Sequence, residues 1–126
     1  MVVRRFARQS APAPQPDEDE VDRVFAALAN ATRRDIVALV LTQEASVSTL
    51  AARYAMSFAA VQKHVAVLER AGLVSKAAHG RERLVRGDVA AIRAAGRLLD
   101  HYEELWRGRI GRIDDLLAAP ADGGTA

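Results

Sequence analysis

Gln62, Lys63, Arg81 and Arg83 are the side chains whose type and spacing suit recognition of a polyanion bearing hydrogen-bonding edges. A glutamine amide carries donor and acceptor side by side, so Gln62 can pair bidentately with adenine, while Lys63 can reach guanine or a phosphate. Just upstream, Phe58 can lie against a thymine methyl and Ala59 leaves room for close approach. Ser57 can cap a helix that starts there, and backbone amides at such a start suit a phosphate oxygen. His64 falls one position past Lys63, turned away from the groove side, where it suits a phosphate or a hydrogen bond at the core edge better than a metal. A second set, His79, Arg81 and Arg83, surrounds Gly80, where a mobile tip can enter a minor groove or grip phosphates. The candidate DNA contacts are therefore Ser57, Phe58, Ala59, Gln62, Lys63, His64, His79, Arg81 and Arg83.

The same inventory argues against catalysis. The chain has no cysteine, which removes thiolate nucleophiles, thiolate metal sites and disulfides. No glycine-rich phosphate loop occurs, and His64, His79 and His101 fall on separate segments without a base and its orienter. Asp100, His101, Glu103 and Glu104 offer oxygens and one imidazole, yet no second histidine follows, so a solvated acidic face is expected and no metal or other cofactor. Net charge over the 126 residues is only +2, but its distribution is uneven. From Phe58 to Arg97 eight basic residues stand against three acidic ones, giving +5, while acids gather at Asp17–Asp22 and after Leu99. A basic middle between acidic flanks is the footprint of a phosphate-binding surface. No apolar run approaches twenty residues, and the N-terminal arginines precede no apolar stretch. A soluble, cytoplasmic protein without a membrane partner is expected.

These residues need elements to hold them. Val21, Val24, Phe25 and Leu28 recur at helical spacing, and Asn30 then caps a second helix with Ile36, Val37, Leu39, Val40 and Leu41 on its apolar face. Gln43–Val47 reads as a loop. A third helix follows with Ser48 as cap and Leu50, Ala51, Tyr54 and Ala55 inside, and after Met56-Ser57 a fourth buries Val61, Val65 and Leu68 before stopping at Ala71-Gly72. The period then drops to two over residues 73–77 and 82–86, which reads as a two-stranded hairpin with a basic tip. By that alternation Arg81 and Arg83 share a face and Glu82 opposes them.

Gly87-Asp88 caps a last helix expected over about 88–118, some 45 Å long at ~1.5 Å per residue. Its stripe of Leu99, Tyr102, Trp106, Ile110 and Ile113 overhangs a domain of this size, and another copy of the chain is the simplest cover. With Val21 and Phe25 of the first helix, these residues form the expected homodimer interface. Residues 1–20, which include Arg4, Arg5 and Arg8, read as a disordered tail, as do 119–126, leaving one domain over 21–118. The fold class is mainly α with a two-stranded β wing, in the order helix, helix, helix-turn-helix, hairpin, helix.

That order and those residues resemble the ArsR (arsenic-repressor-like) family of bacterial transcription regulators. "VFAALANATRRDIVALV" is similar to the family's first two helices, with Ala31 where proline is usual, and "MSFAAVQKHVAVLERAGLV" to its recognition helix, with His64, Leu68, Gly72, Leu73 and Val74 in place. "GRERLVRGD" resembles its wing. The resemblance implies a homodimer built from the first and last helices that binds a two-fold symmetric operator on double-stranded DNA, represses promoters and is released by an inducer. Thr49–Tyr54 lacks the cysteine pair of the metal-sensing members, which points to the branch without metal ligands and with an unknown small-molecule inducer. Ala60 and Gln62 stand where hydroxyl residues are common, so the operator is expected to differ from those of typical members. The alternative is a winged-helix module that binds another protein and no specific DNA.

Overall fold

The computed structural model describes residues 18–125, with side chains through Ala118. Among the described residues, five helices and a small antiparallel sheet make a winged helix. The elements are α1 (Glu18–Leu28), α2 (Ala31–Thr42), β1 (Ala45–Ser46), α3 (Val47–Tyr54), α4 (Phe58–Arg70), β2 (Val74–His79), β3 (Glu82–Gly87) and α5 (Val89–Thr125). Most of the stretch read as an N-terminal tail, with Arg4, Arg5 and Arg8, lies outside the described residues.

Local chemistry sets most of the boundaries. The Asn30 carboxamide accepts from the Arg33 amide at 3.0 Å and the Ser57 hydroxyl from the Ala60 amide at 3.1 Å, as expected of N-caps. Asp88 accepts from the Ala90 amide at 2.9 Å and opens α5. Gly72 ends α4 at φ +76, a backbone region that costs an L side chain about 1 kcal/mol or more. α1 begins at Glu18 rather than Val21, and its first turn is acidic (Glu18, Asp19, Glu20), which suits the positive end of a helix. α5 continues through Thr125, past the expected stop before Pro120.

Three expectations are corrected. The cap of α3 is Ser46, accepting from the Thr49 amide at 3.1 Å, and not Ser48. The segment Gln43–Val47 is not all loop, because β1 pairs antiparallel with β3, Ala45 opposite Val85 and Ser46 opposite Leu84. The sheet is thus three-stranded, in the order β1-β3-β2. The physical reason is burial: Ala45, Ser46 and Val47 are all inside, and buried backbone amides and carbonyls need partners. Ala55, read as helix interior, is instead the exposed cap of α3 at φ +52.

The core is formed where these elements meet. Ile36 of α2, Leu50 of α3, Val61, Val65 and Leu68 of α4, Leu73, and Val85 of β3 are fully buried, and Val24 and Ala27 of α1 and Ala95 of α5 close it. The wing is anchored tightly at its base. A Cβ added to Gly87 would fall 2.7 Å from Leu41 Cδ2 and 2.9 Å from the Leu41 Cα, and a helix backbone cannot give way as a side-chain end can. Gly87→Ala is therefore expected to lower stability by about 1–3 kcal/mol, the usual cost of overpacking. Urea unfolding checks this, and an unchanged midpoint would show that β3 can slide away from α2.

Candidate nucleic-acid interface

α3, the turn at residues 55–57 and α4 form the helix-turn-helix. With Val61, Val65 and Leu68 fixed in the core, the opposite side of α4 presents Phe58, Ala59, Gln62 and Lys63 to solvent. Phe58 is 49% exposed on the first turn, an unusual place for a large apolar side chain. Ser57 is exposed just before it.

The wing reaches the same side. β2 and β3 pair from Val74 opposite Gly87 out to His79 opposite Glu82, closed by Gly80 and Arg81. Gly80 has φ +64, as the first central residue of a tight hairpin turn requires. Arg81 therefore lies in the turn, outside the strand alternation, and does not owe its direction to sharing a strand face with Arg83. Arg83 pairs with Ala78 and alternates with Val85, so it leaves the sheet on the core side, beyond the end of the core. There it meets α4. A cleft of about 260 Å³ is bordered by Ser46 and Ser48 at the start of α3, Phe58 and Gln62 of α4, Lys76 of β2, and Arg81, Glu82 and Arg83 of the wing. His79 is exposed at the end of β2, next to that tip.

Lys76 is a residue of this cleft that the sequence pattern alone does not single out. Its register opposite Val85 puts it on the inner face, and its ammonium lies 3.5 Å from the Glu69 carboxylate, which ties α4 to the wing. The signal that could have found it is the alternation from Val74. Arg86, counted among the basic residues, makes a bidentate contact with Glu44 Oε1, Nη2 at 2.7 Å and Nε at 3.1 Å, and braces the base of the wing instead.

His64 is half-buried at the inner edge of α4, with Nδ1 3.4 Å from Nη1 of Arg33. The guanidinium has no acceptor, so Nδ1 takes the hydrogen bond and the ring proton sits on Nε2. Burial, and then the Arg33 charge, push the imidazole below its ordinary pKa, so it is neutral at pH 7. Between α3 and α2, Tyr54 donates to Asp35 at 2.6 Å, and burial together with that acceptor raises the phenol above its ordinary pKa.

A second surface is apolar. Along α5 the face that carries half-buried Ile92 and buried Ala95 continues outward uncovered as Leu99, Tyr102, Trp106, Ile110, Ile113 and Leu117. Trp106 is 57% exposed and Leu117 76%, with Arg109 stacked 5.9 Å from the Trp106 ring. On α1, Phe25 is exposed and Val21 half-buried. Leu105 and Leu116, outside the stripe expected from the sequence, are exposed beside it. Among the described residues no three His, Asp or Glu side chains gather to hold a metal, and no helix is long and apolar enough to cross a membrane.

Residues 30–76 match the model of the arsR family of bacterial regulatory proteins. Among solved structures, an ArsR-like transcriptional regulator from Rhodococcus sp. RHA1 is 32% identical, with 79% of this chain and 93% of that one covered and a TM-score of 0.68. A crystal structure described as an ArsR family transcriptional regulator gives 28% identity, coverage of 75% and 97%, and a TM-score of 0.69. The homodimeric winged helix-turn-helix DNA-binding domain of a possible ArsR-family regulator from Mycobacterium bovis gives 26% identity, coverage of 73% and 91%, and a TM-score of 0.57. No curated protein matches the chain significantly.

Proposed function

Because this chain belongs to the ArsR family of transcriptional regulators and has its winged-helix DNA-binding domain, we propose that it is a homodimeric repressor acting in the cytoplasm on a two-fold symmetric operator. The observation that carries the DNA side is the shared cleft, where the exposed first turns of α4 and the arginines of the wing tip border one space. Phe58, Ala59, Gln62 and Lys63 enter the major groove, with Ser57 and its amides toward a phosphate. His79, Arg81 and Arg83 follow the backbone or the neighbouring minor groove. The uncovered face of α5, with Val21 and Phe25, is where a second copy packs. The M. bovis domain described as homodimeric supports that arrangement. Promoter repression and release by a small molecule follow from the family resemblance.

Selection from a randomised duplex pool tests the reading. The protein is expected to enrich a palindromic site. If Lys63, Arg81 and Arg83 of each protomer neutralise one phosphate apiece, log affinity should fall against log salt with a slope of about −5. Enrichment of nothing, with a flat salt response, would favour a winged helix that docks on protein.

A further inference from the structure

α4 is held to the helices behind it mainly by Val61, Val65 and Leu68, and apolar contact is non-directional. Such packing fixes which face of α4 turns inward but sets the fine angle of its roll only weakly. A directional bond is needed for that. Among the described residues one side-chain hydrogen bond joins α4 to the helices behind it, and it comes from Arg33. The same guanidinium donates from Nε to the Ala27 carbonyl at 2.7 Å and from Nη2 to the Ala26 carbonyl at 3.2 Å, capping the last turn of α1. Its remaining arm meets His64 Nδ1 on α4. Arg34 adds a bond to the Leu28 carbonyl at 2.8 Å, which reinforces the α1 end without reaching α4.

We infer that Arg33 is a positioning residue for DNA recognition, which fixes the roll of α4 relative to α1 by bonding the carbonyl end of α1 and His64 at once. The inference rests on the proposed dimeric DNA-binding role, in which α1 lies on the dimer side and α4 in the groove. The angle between them then sets how the two copies of α4 face successive major grooves. The planar fork is essential here, since a lysine ammonium is a single point that cannot span the two carbonyls and the imidazole together. Among the described residues the hydrogen-bond partner of His64 on α2 is Arg33, whose charge also lowers the imidazole pKa, and the same guanidinium holds the Ala26 and Ala27 carbonyls of α1. Protonated His64 would set one cation against another, so the bridge exists in the neutral form.

The test uses the duplex that the wild-type protein selects from a randomised pool, the same duplex with one base pair inserted between half-sites, and mixed-sequence DNA. Arg33→Lys and His64→Leu are each expected to lose about tenfold in affinity for the selected duplex. Mixed-sequence affinity should stay within about threefold, and the preference against the inserted duplex should shrink. His64→Asn, whose Oδ1 replaces Nδ1 as acceptor, should keep within about threefold of wild type on every duplex. If Arg33→Lys keeps wild-type affinity and spacing preference, or loses selected and mixed DNA alike in step with its melting temperature, the inference is overturned. Ring nitrogen NMR of His64 decides the bridge independently of any DNA. The Nε2–H tautomer, titrating below the ordinary histidine value and moving up in Arg33→Met, is expected. An ordinary titration or the Nδ1–H tautomer in the wild type overturns it. Failure to enrich any sequence would instead count against the DNA-binding reading.

Discussion

Replacing Trp106 and Ile110 by glutamate is expected to turn the dimer into a monomer and to cut operator affinity by about 10²–10⁴, the gain that two linked half-site contacts normally supply. Both side chains stand on the open face of α5, Trp106 57% and Ile110 38% exposed in the single chain. Each presents apolar area whose removal from water contributes about 25 cal/mol per Å² to association. A carboxylate in their place would have to be buried unpaired, which costs several kcal/mol and opposes closure of the interface. Two-fold symmetry applies each change twice. Analytical ultracentrifugation with circular dichroism separates the cases, because a folded monomer and an unfolded chain both follow if the face is the interface. A folded double mutant that still sediments as a dimer would place the partner contact elsewhere.

The second large effect divides the work between α4 and the wing. Gln62→Ala is expected to cost about 1–3 kcal/mol per contacted base and to relax preference at one symmetric pair of operator positions. Arg83→Ala should weaken selected and mixed DNA alike and make the salt slope shallower by about two for the dimer, one for each phosphate that Arg83 no longer neutralises. Affinities for both DNAs at several salt concentrations distinguish these outcomes. Because Gln62 and Arg83 border the same cleft, the double variant should depart from additivity, by ~0.5 kcal/mol or more. If base preference changes in Arg83→Ala and survives in Gln62→Ala, the two roles are exchanged.

What the sequence discloses about this fold follows from the range of the forces involved. Asn30, Ser57 and Asp88 are legible as caps because each stands alone where the hydrophobic period changes, and the competing signals are weak. At Ser46 and Ser48 two residues of equal capping ability compete. The choice falls to the pairing of Ala45 and Ser46 with a strand some forty residues away, which no local pattern reveals. The end of α3 is hidden for a different reason, since Ala55 holds φ +52 where a glycine would have announced the turn. For the site, the exposed row from Phe58 to Lys63 follows from helical period once Val61, Val65 and Leu68 are assigned inward. Lys76 at the cleft needs the strand register, and the role of His64 needs Arg33, thirty-one positions earlier.

The two-residue strand β1 has a mechanical consequence for the wing. It fastens β3 only at Leu84 and Val85, while Gly87 is wedged against α2 and Arg86 is clamped by Glu44. Among the described residues, 77–83 make no hydrogen bond or ion pair beyond their own hairpin pairing. Opening of the wing is therefore expected to start at Gly80 and to halt at the β1 staple, at a lower cost than unfolding the domain. In amide hydrogen exchange the hairpin is expected to behave as two regions, a fast outer loop and a base that exchanges with the core. The outer part carries Arg81 and Arg83, so DNA contacts proposed for the tip are expected to form and release faster than those of α4.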